Sequence, residues 1–134
     1  MNAFSLKIVT PDGVYFDGTA QEIVVRTTSG DMGILSGHVN CVAPLGMGQA
    51  MILVDGERRY AACIGGMVSV VNGNVTLVPT TFEWSDQIDV ERANASEIRA
   101  QAIIADKAST QTELRLAEAR LKRALVRKSV AQRK

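Results

Sequence analysis

The feature that most constrains this chain is the place where its glycines and prolines stop. All 11 glycines and all 3 prolines lie at or before Pro79, and residues 80–134 contain neither. These residues are the strongest local interrupters of regular structure, so the chain is written in two grammars. The first reads as short strands between turns. "SLKIV" alternates and meets Pro11-Asp12-Gly13, and "AQEIVVRT" follows Asp17-Gly18, a second turn signal. "QAMILV" runs into Asp55-Gly56 and then "ERRYAAC"; "GMVSVV" runs into Asn72-Gly73 and then "NVTLV". Asp-Gly and Asn-Gly accept the positive φ angles of two-residue hairpin turns, so both are expected hairpins. Turn signals this closely spaced, without helical period, predict an antiparallel sandwich or barrel.

From Trp84 the period changes. In "IDVERA", Ile88 to Ala93, Asp89 stands where a helix N-cap belongs and Arg92 lies one turn on. Ile88, Ala95, Ile98, Ala102 and Ala105 fall near one face of a 3.6-residue helix. A break near Lys107-Ala108-Ser109 precedes Thr110 and Glu113, the spacing of a capping box, so a second helix is expected there. Its stripe is Leu114, Ala117, Leu121, Ala124 and Leu125. Two helices joined by a tight turn make an antiparallel hairpin. Both stripes are narrow and alanine-rich, so their mutual burial is modest and the hairpin is expected to move. The fold class is therefore α+β, with a β-sandwich over 1–83 and a two-helix hairpin over 84–134.

Composition removes several alternatives. With 46% hydrophobic and 22% charged residues in 134, wholesale disorder is excluded and one domain, or a small domain with an appendage, is expected. The start, MNAFSLKIVT, lacks the basic and apolar regions of an export signal, and no run approaches the roughly 18 apolar residues of a membrane span. A soluble, cytoplasmic protein is expected, with docking on a membrane assembly still open. Cys41 and Cys63 lie in strand-like stretches and read as buried free thiols. Two cysteines and the single His38, scattered, supply too few ligands for zinc, so no metal site is expected. Net charge is only +1, yet residues 115–134 hold eight basic residues against Glu118. The C-terminal end is a cationic handle on a nearly neutral chain.

The order of these words carries a resemblance. "GDMGILSGHVN" (Gly30 to Asn40) is similar to the glycine-rich loop of the epsilon subunit of F-type ATP synthases, with Ser36 where that family usually has proline. "LKIVTPDGVYFDG" resembles its first hairpin and "FEWSDQIDVERA" its domain junction, so the likeness runs the full length. It implies a ten-strand sandwich followed by two helices, in a non-catalytic rotor subunit. The implied partners are the gamma subunit and the c-ring, through the sandwich, and the alpha/beta catalytic head, through the helices. The implied location is peripheral, on the cytoplasmic face of the bacterial membrane, without insertion. In bacterial members the helices extend and inhibit ATP hydrolysis, and in some a folded hairpin binds ATP. No resident cofactor is implied; ATP enters as a regulatory ligand.

The individual motifs are weighed against plainer roles. In the loop, Asp31 and His38 are candidates for c-ring or gamma contact, since exposed polar loops often carry function. His38 with Cys41 as a catalytic pair is disfavoured, because i and i+3 of a strand point to opposite faces. Met47, Met51 and Met67 read as core filling. The basic run "RLKRALVRKSVAQRK" reads as a solvated helix end, a nucleic-acid handle lacking supporting aromatics, or a handle for an acidic partner. The resemblance favours the last, with Arg120, Lys122, Arg123, Arg127 and Lys128 meeting the beta subunit. A small sandwich adaptor, its basic tail bound to nucleic acid or an acidic protein, is the alternative.

In "IDVERA" Asp89 alone is explained as a cap. The arginines add more: Arg92 and Arg99 are two turns apart on one helix, and Arg123 and Arg127 one turn apart on the other. Folded antiparallel, the hairpin brings the four guanidinium groups together around a gap that an anion would fill. The resemblance places a nucleotide there, with Ile88, Asp89, Arg92 and Ala93 as the motif. It gives Arg99, Arg123 and Arg127 to the phosphates, and Glu83 a place beside the base.

Overall fold

A computed structural model describes residues 2–133. It contains ten strands: β1 (Phe4–Thr10), β2 (Gly13–Ala20), β3 (Glu22–Thr27), β4 (Gly30–Leu35), β5 (Cys41–Pro44), β6 (Met47–Val54), β7 (Glu57–Ile64), β8 (Met67–Val71), β9 (Asn74–Val78) and β10 (Thr81–Trp84). A 3-10 turn at Ser85–Gln87 leads to α1 (Val90–Ala105) and α2 (Gln111–Ala131). The strands form two five-stranded sheets, ordered β2-β1-β9-β8-β5 and β10-β7-β6-β3-β4. All pairings are antiparallel except β1 with β9, which makes the first sheet mixed. Local turn chemistry does not encode that pair, because its strands are far apart in sequence.

The two expected hairpins form as their turns require. Asp55 and Gly56 take φ of 51° and 80°, Asn72 and Gly73 φ of 50° and 82°, the signature of a type I′ turn. Asp17-Gly18 is no turn. Both lie inside β2, paired with Lys7 and Leu6, without the positive φ such a turn needs. Likewise Gly30–Leu35 is a strand at the edge of the second sheet, and only the stretch from Ser36 to Asn40 is loop.

Between the sheets, 18 buried residues, among them Leu6, Ile8, Ile23, Ile52, Leu77 and Phe82, make one core. The outer face of the first sheet is different. Val42, Met67, Val71 and Val78, on three adjacent strands, are all 42–63% exposed.

The hairpin is fastened more lightly. Ala93 and Ala100 on α1, with Ala117 and Ala124 on α2, are 0–1% exposed and lie seven residues apart on each helix, so small side chains let the helices close on each other. Both caps form: Asp89 Oδ1 accepts from the Arg92 N–H at 3.0 Å, and Thr110 with Glu113 completes a capping box. The α1 stripe differs from the expected one. Ala95, Ala102 and Ala105 are exposed and Ile98 is 66% exposed, while Ala93 and Ala100 face α2. Ile88 precedes the helix, so its phase does not propagate, and an alanine-rich sequence has little apolar contrast to correct the error. On α2, Ala117 and Ala124 are buried and Leu114 and Leu121 half-buried, as expected, whereas Leu125 is exposed. α2 meets the sandwich through a second core of only three buried residues, Ala62, Ile88 and Val130.

Candidate functional site

The Asp89 cap sets the phase of α1, and that phase turns Arg92, Ser96, Arg99, Ala100 and Ile103 toward a cavity of about 700 Å³. From α2 come Arg120, Arg123, Ala124 and Arg127, spaced as one helical stripe. The sandwich closes the other side with Asp12, Tyr15, Ile64, Thr81, Phe82 and Glu83. Glu97 and Lys128, 2.7 Å apart, tie the two helices nearby. The volume lies within the roughly 300–1,000 Å³ of small-molecule sites.

Five guanidinium groups share this space with two carboxylates. Among the described residues, only Arg127 of the five has an ion-pair partner. Its Nη2 donates to Glu83 Oε2 at 3.1 Å, and its Nε lies 2.7 Å from Oε1 but out of hydrogen-bonding alignment. Among the described residues, Arg92, Arg99, Arg120 and Arg123 have no ion-pair partner. Like charges at this spacing repel, and guanidinium forks match phosphate oxygens, so the helix side has the charge and donor geometry that a polyanion would satisfy. The sandwich side is mixed: Tyr15 stands edge-on to Phe82 at 5.4 Å between centroids, beside Asp12, Thr81 and Glu83. The cavity therefore suits a ligand with a flat body and a polyanionic tail.

All four arginines expected here line the cavity, together with Glu83. Ile88, Asp89 and Ala93 do not. Ile88 packs on Ala62 and Val130, Asp89 caps α1, and Ala93 is in the buried alanine seam. Arg120, a residue of the basic handle, also joins the cage; its spacing of three and seven residues from Arg123 and Arg127 is the sequence signal for this. Asp12 and Tyr15 arrive from a turn some 70 residues away, which no local pattern encodes. Of the other handle residues, Lys122 lies with Gln49 and Leu125 on a separate groove, and Lys128 is paired with Glu97. Lys134, at the end of the handle, lies outside the described residues.

Glu83→Gln is expected to loosen α2 from the sandwich. The Arg127 and Glu83 side chains are 19% and 31% exposed. The cost should fall between the about 0–1 kcal/mol of surface pairs and the about 3–5 kcal/mol of breaking buried ones. Hydrogen exchange in the last turns of α2 should rise while the sandwich strands stay protected.

On β4, the edge strand opposite β10, Asp31 is exposed and 2.7 Å from Arg26 Nε. His38 is half-buried in the loop that follows β4, with Nδ1 2.8 Å from the Val39 carbonyl oxygen, so that Nδ1 carries the donated proton. Cys41 Sγ lies 4.0 Å from that nitrogen. The two side chains do meet, because Ser36–Asn40 is loop and strand alternation does not apply. An N–H given to a carbonyl is not free to accept a proton from the thiol. Cys63 is 3% exposed and its thiol is pushed up to about 12 by burial. A thiol reagent at pH 8 is therefore expected to label Cys41 alone in the native chain, and both after denaturation. Because the folded thiol holds its proton above the ordinary value of 9.0, its contribution to stability is complete below that pH. It is lost as pH rises toward about 12.

No described helix is long and apolar enough to cross a membrane. Among the described residues no group of three or more His, Cys, Asp or Glu is placed to hold a metal ion.

A sandwich of this topology joined to a basic hairpin defines a class. The family model for the ATP synthase Delta/Epsilon chain β-sandwich domain matches residues 3–85, and that for its long α-helix domain matches 86–132. The chain belongs to the ATP synthase Delta/Epsilon chain family, as a non-catalytic, epsilon-type member. It is 42% identical to the ATP synthase epsilon chain of Ruminococcus albus over 135 residues, covering 100% of both chains. It is 40% identical to that of Bacillus velezensis, covering 98% of each. In fold it matches a chain of the Euglena gracilis mitochondrial ATP synthase with TM-score 0.83 at 21% identity, covering 95% of this chain and 80% of that one. A chain from the central stalk and c-ring of the Tetrahymena thermophila enzyme gives 0.63 at 16% identity, covering 96% of each.

Proposed function

We propose that this chain is the epsilon subunit of a bacterial rotor whose hairpin senses ATP. The observation that carries the sensor reading is the cage of Arg92, Arg99, Arg120 and Arg123, unpaired and drawn from both helices around one cavity. Such a cage exists only while the hairpin is folded, so a triphosphate favours the folded state by its differential affinity. Three residues proposed to meet the acidic surface of the beta subunit, Arg120, Arg123 and Arg127, are turned into this cavity. ATP and the catalytic head then compete for the same guanidinium groups, and falling ATP releases the hairpin for inhibition, with Lys122 and Lys128 added to the contact. The hairpin detaches with modest burial lost, since the second core that holds α2 on the sandwich is small: Ala62, Ile88 and Val130, with Tyr60, Val126 and Ala131 packed on them.

The sandwich supplies the rotor function. The exposed apolar face of Val42, Met67, Val71 and Val78 suits a permanent partner such as gamma. Asp31, exposed at the start of β4, and His38, half-buried in the loop beyond the strand's other end, are the polar groups offered to the loops of the c-ring, which hold the chain at the cytoplasmic face of the membrane without insertion. Isothermal calorimetry with ATP on the full chain tests the sensor: one site per chain is expected, and absence of heat would remove it while leaving family membership intact.

A further inference from the structure

We infer that Asp12, on the turn between β1 and β2, makes the arginine cavity select nucleotides over bare polyphosphates, by accepting a hydrogen bond from the nucleoside half of the ligand. The inference deepens the sensor reading and rests on it. Of the two carboxylates that line the cavity, Glu83 has both oxygens on Arg127, so its charge is already answered. Asp12 is different. It is exposed, and among the described residues its carboxylate has neither an ion-pair partner nor a hydrogen-bond donor. The turn does not need that carboxylate. It is the Asp12 backbone N–H that donates to Thr10 Oγ1 at 3.1 Å, and Thr10 is buried, so backbone contacts fix the position.

An ionised carboxylate accepts hydrogen bonds and donates none, so to phosphate oxygens it offers only repulsion. A bare polyphosphate meets this adverse charge and gains nothing from it. A nucleoside triphosphate carries neutral donors as well: the ribose hydroxyls and the exocyclic amine of the base. The guanidinium groups on the helix side take the phosphates, while Tyr15 and Phe82 on the sandwich side offer the base an aromatic edge. The sugar and the base edge then lie on the side of the cavity where Asp12 stands. A charge-assisted bond to one of those donors outweighs the repulsion. Solvent access at an exposed carboxylate keeps both effects modest.

Asp12→Ala gives a test in which the sign decides. Removing a charge that acts only through its field strengthens the binding of every anion. Removing an acceptor that touches the nucleoside weakens ATP and strengthens tripolyphosphate. Calorimetry on the full chain at one ionic strength is expected to show ATP bound about five- to tenfold more weakly by the variant. Tripolyphosphate should bind about two- to fivefold more tightly. Two analogues identify the donor: 2′,3′-dideoxy-ATP lacks the ribose hydroxyls, and inosine triphosphate lacks the amine. The analogue missing the group held by Asp12 should bind the parent less well than ATP and lose nothing further in the variant. Thermal melts followed by circular dichroism verify that Asp12→Ala keeps the fold. Shifts of the same sign for ATP and tripolyphosphate, no shift in either, or a parent indifferent to both analogues would overturn the inference, while tripolyphosphate binding would leave the cage standing. If neither ATP nor tripolyphosphate binds the parent, the sensor reading falls with it.

Discussion

Arg123→Ala is expected to weaken ATP binding by roughly 10- to 150-fold, the loss of about 1.5–3 kcal/mol for a charge-assisted contact to phosphate. Arg92→Ala should do the same from the other helix. What makes the prediction specific is its sign without ligand. Both side chains are exposed and unpaired among the described residues, and they face other cations. Removing one relieves repulsion, so the ligand-free melting temperature should hold or rise slightly, while the rise produced by ATP shrinks. An ordinary structural arginine would behave in the opposite way. Arg127→Ala is the internal contrast, since it also breaks the Glu83 pair and should lower the ligand-free stability of the hairpin. Calorimetry and thermal melts with and without ATP separate these cases.

Gly66→Ala is expected to cost more than about 4 kcal/mol, a large part of the roughly 5–15 kcal/mol that holds a domain folded. Three connections between the sheets meet at this corner: β5 to β6, β7 to β8, and β9 to β10. They are stitched by Leu45 N–H to Gly66 O at 2.8 Å, Gly65 N–H to Gly46 O at 3.0 Å and Thr80 N–H to Gly65 O at 3.4 Å. Gly66 has φ of 90°, and a Cβ there would sit 2.0 Å from the Val78 carbonyl oxygen and 2.6 Å from Pro79 Cα. The obstacle is backbone on a crossing strand, so no side chain can swing aside. Gly56→Ala is the control. Its φ of 80° is similar, yet a Cβ would meet nothing within 4 Å, so only conformational strain of about 1 kcal/mol is expected. Urea unfolding of both variants measures the difference, and equal costs would remove the crossing-strand argument.

What was legible in the sequence follows from how local each determinant is. The hairpins at Asp55-Gly56 and Asn72-Gly73, and both helix caps, are written within four residues and formed as expected. Asp17-Gly18 uses the same dipeptide chemistry but is overridden by continuous pairing of β2 with β1. The α1 face was misplaced because alanines on every side leave periodicity little to measure. At the site, guanidinium spacing along each helix was readable, and antiparallel packing brought the two sets together. The sandwich side was not readable, because Asp12, Tyr15 and Thr81 converge only through tertiary structure. Glu83, expected beside a base, instead has both oxygens on Arg127, a contact spanning 44 residues.

The central claim is that ATP controls whether the hairpin lies on the sandwich. It is tested most directly by distance measurement between spin labels at Thr19→Cys on β2 and Thr112→Cys on α2, both exposed, in a chain carrying Cys41→Ser and Cys63→Ala. With saturating ATP a single short distance is predicted; without ATP, a second, longer population should appear and should persist with ATP when Arg92 and Arg123 are alanine. A distance distribution that ATP leaves unchanged would contradict the account.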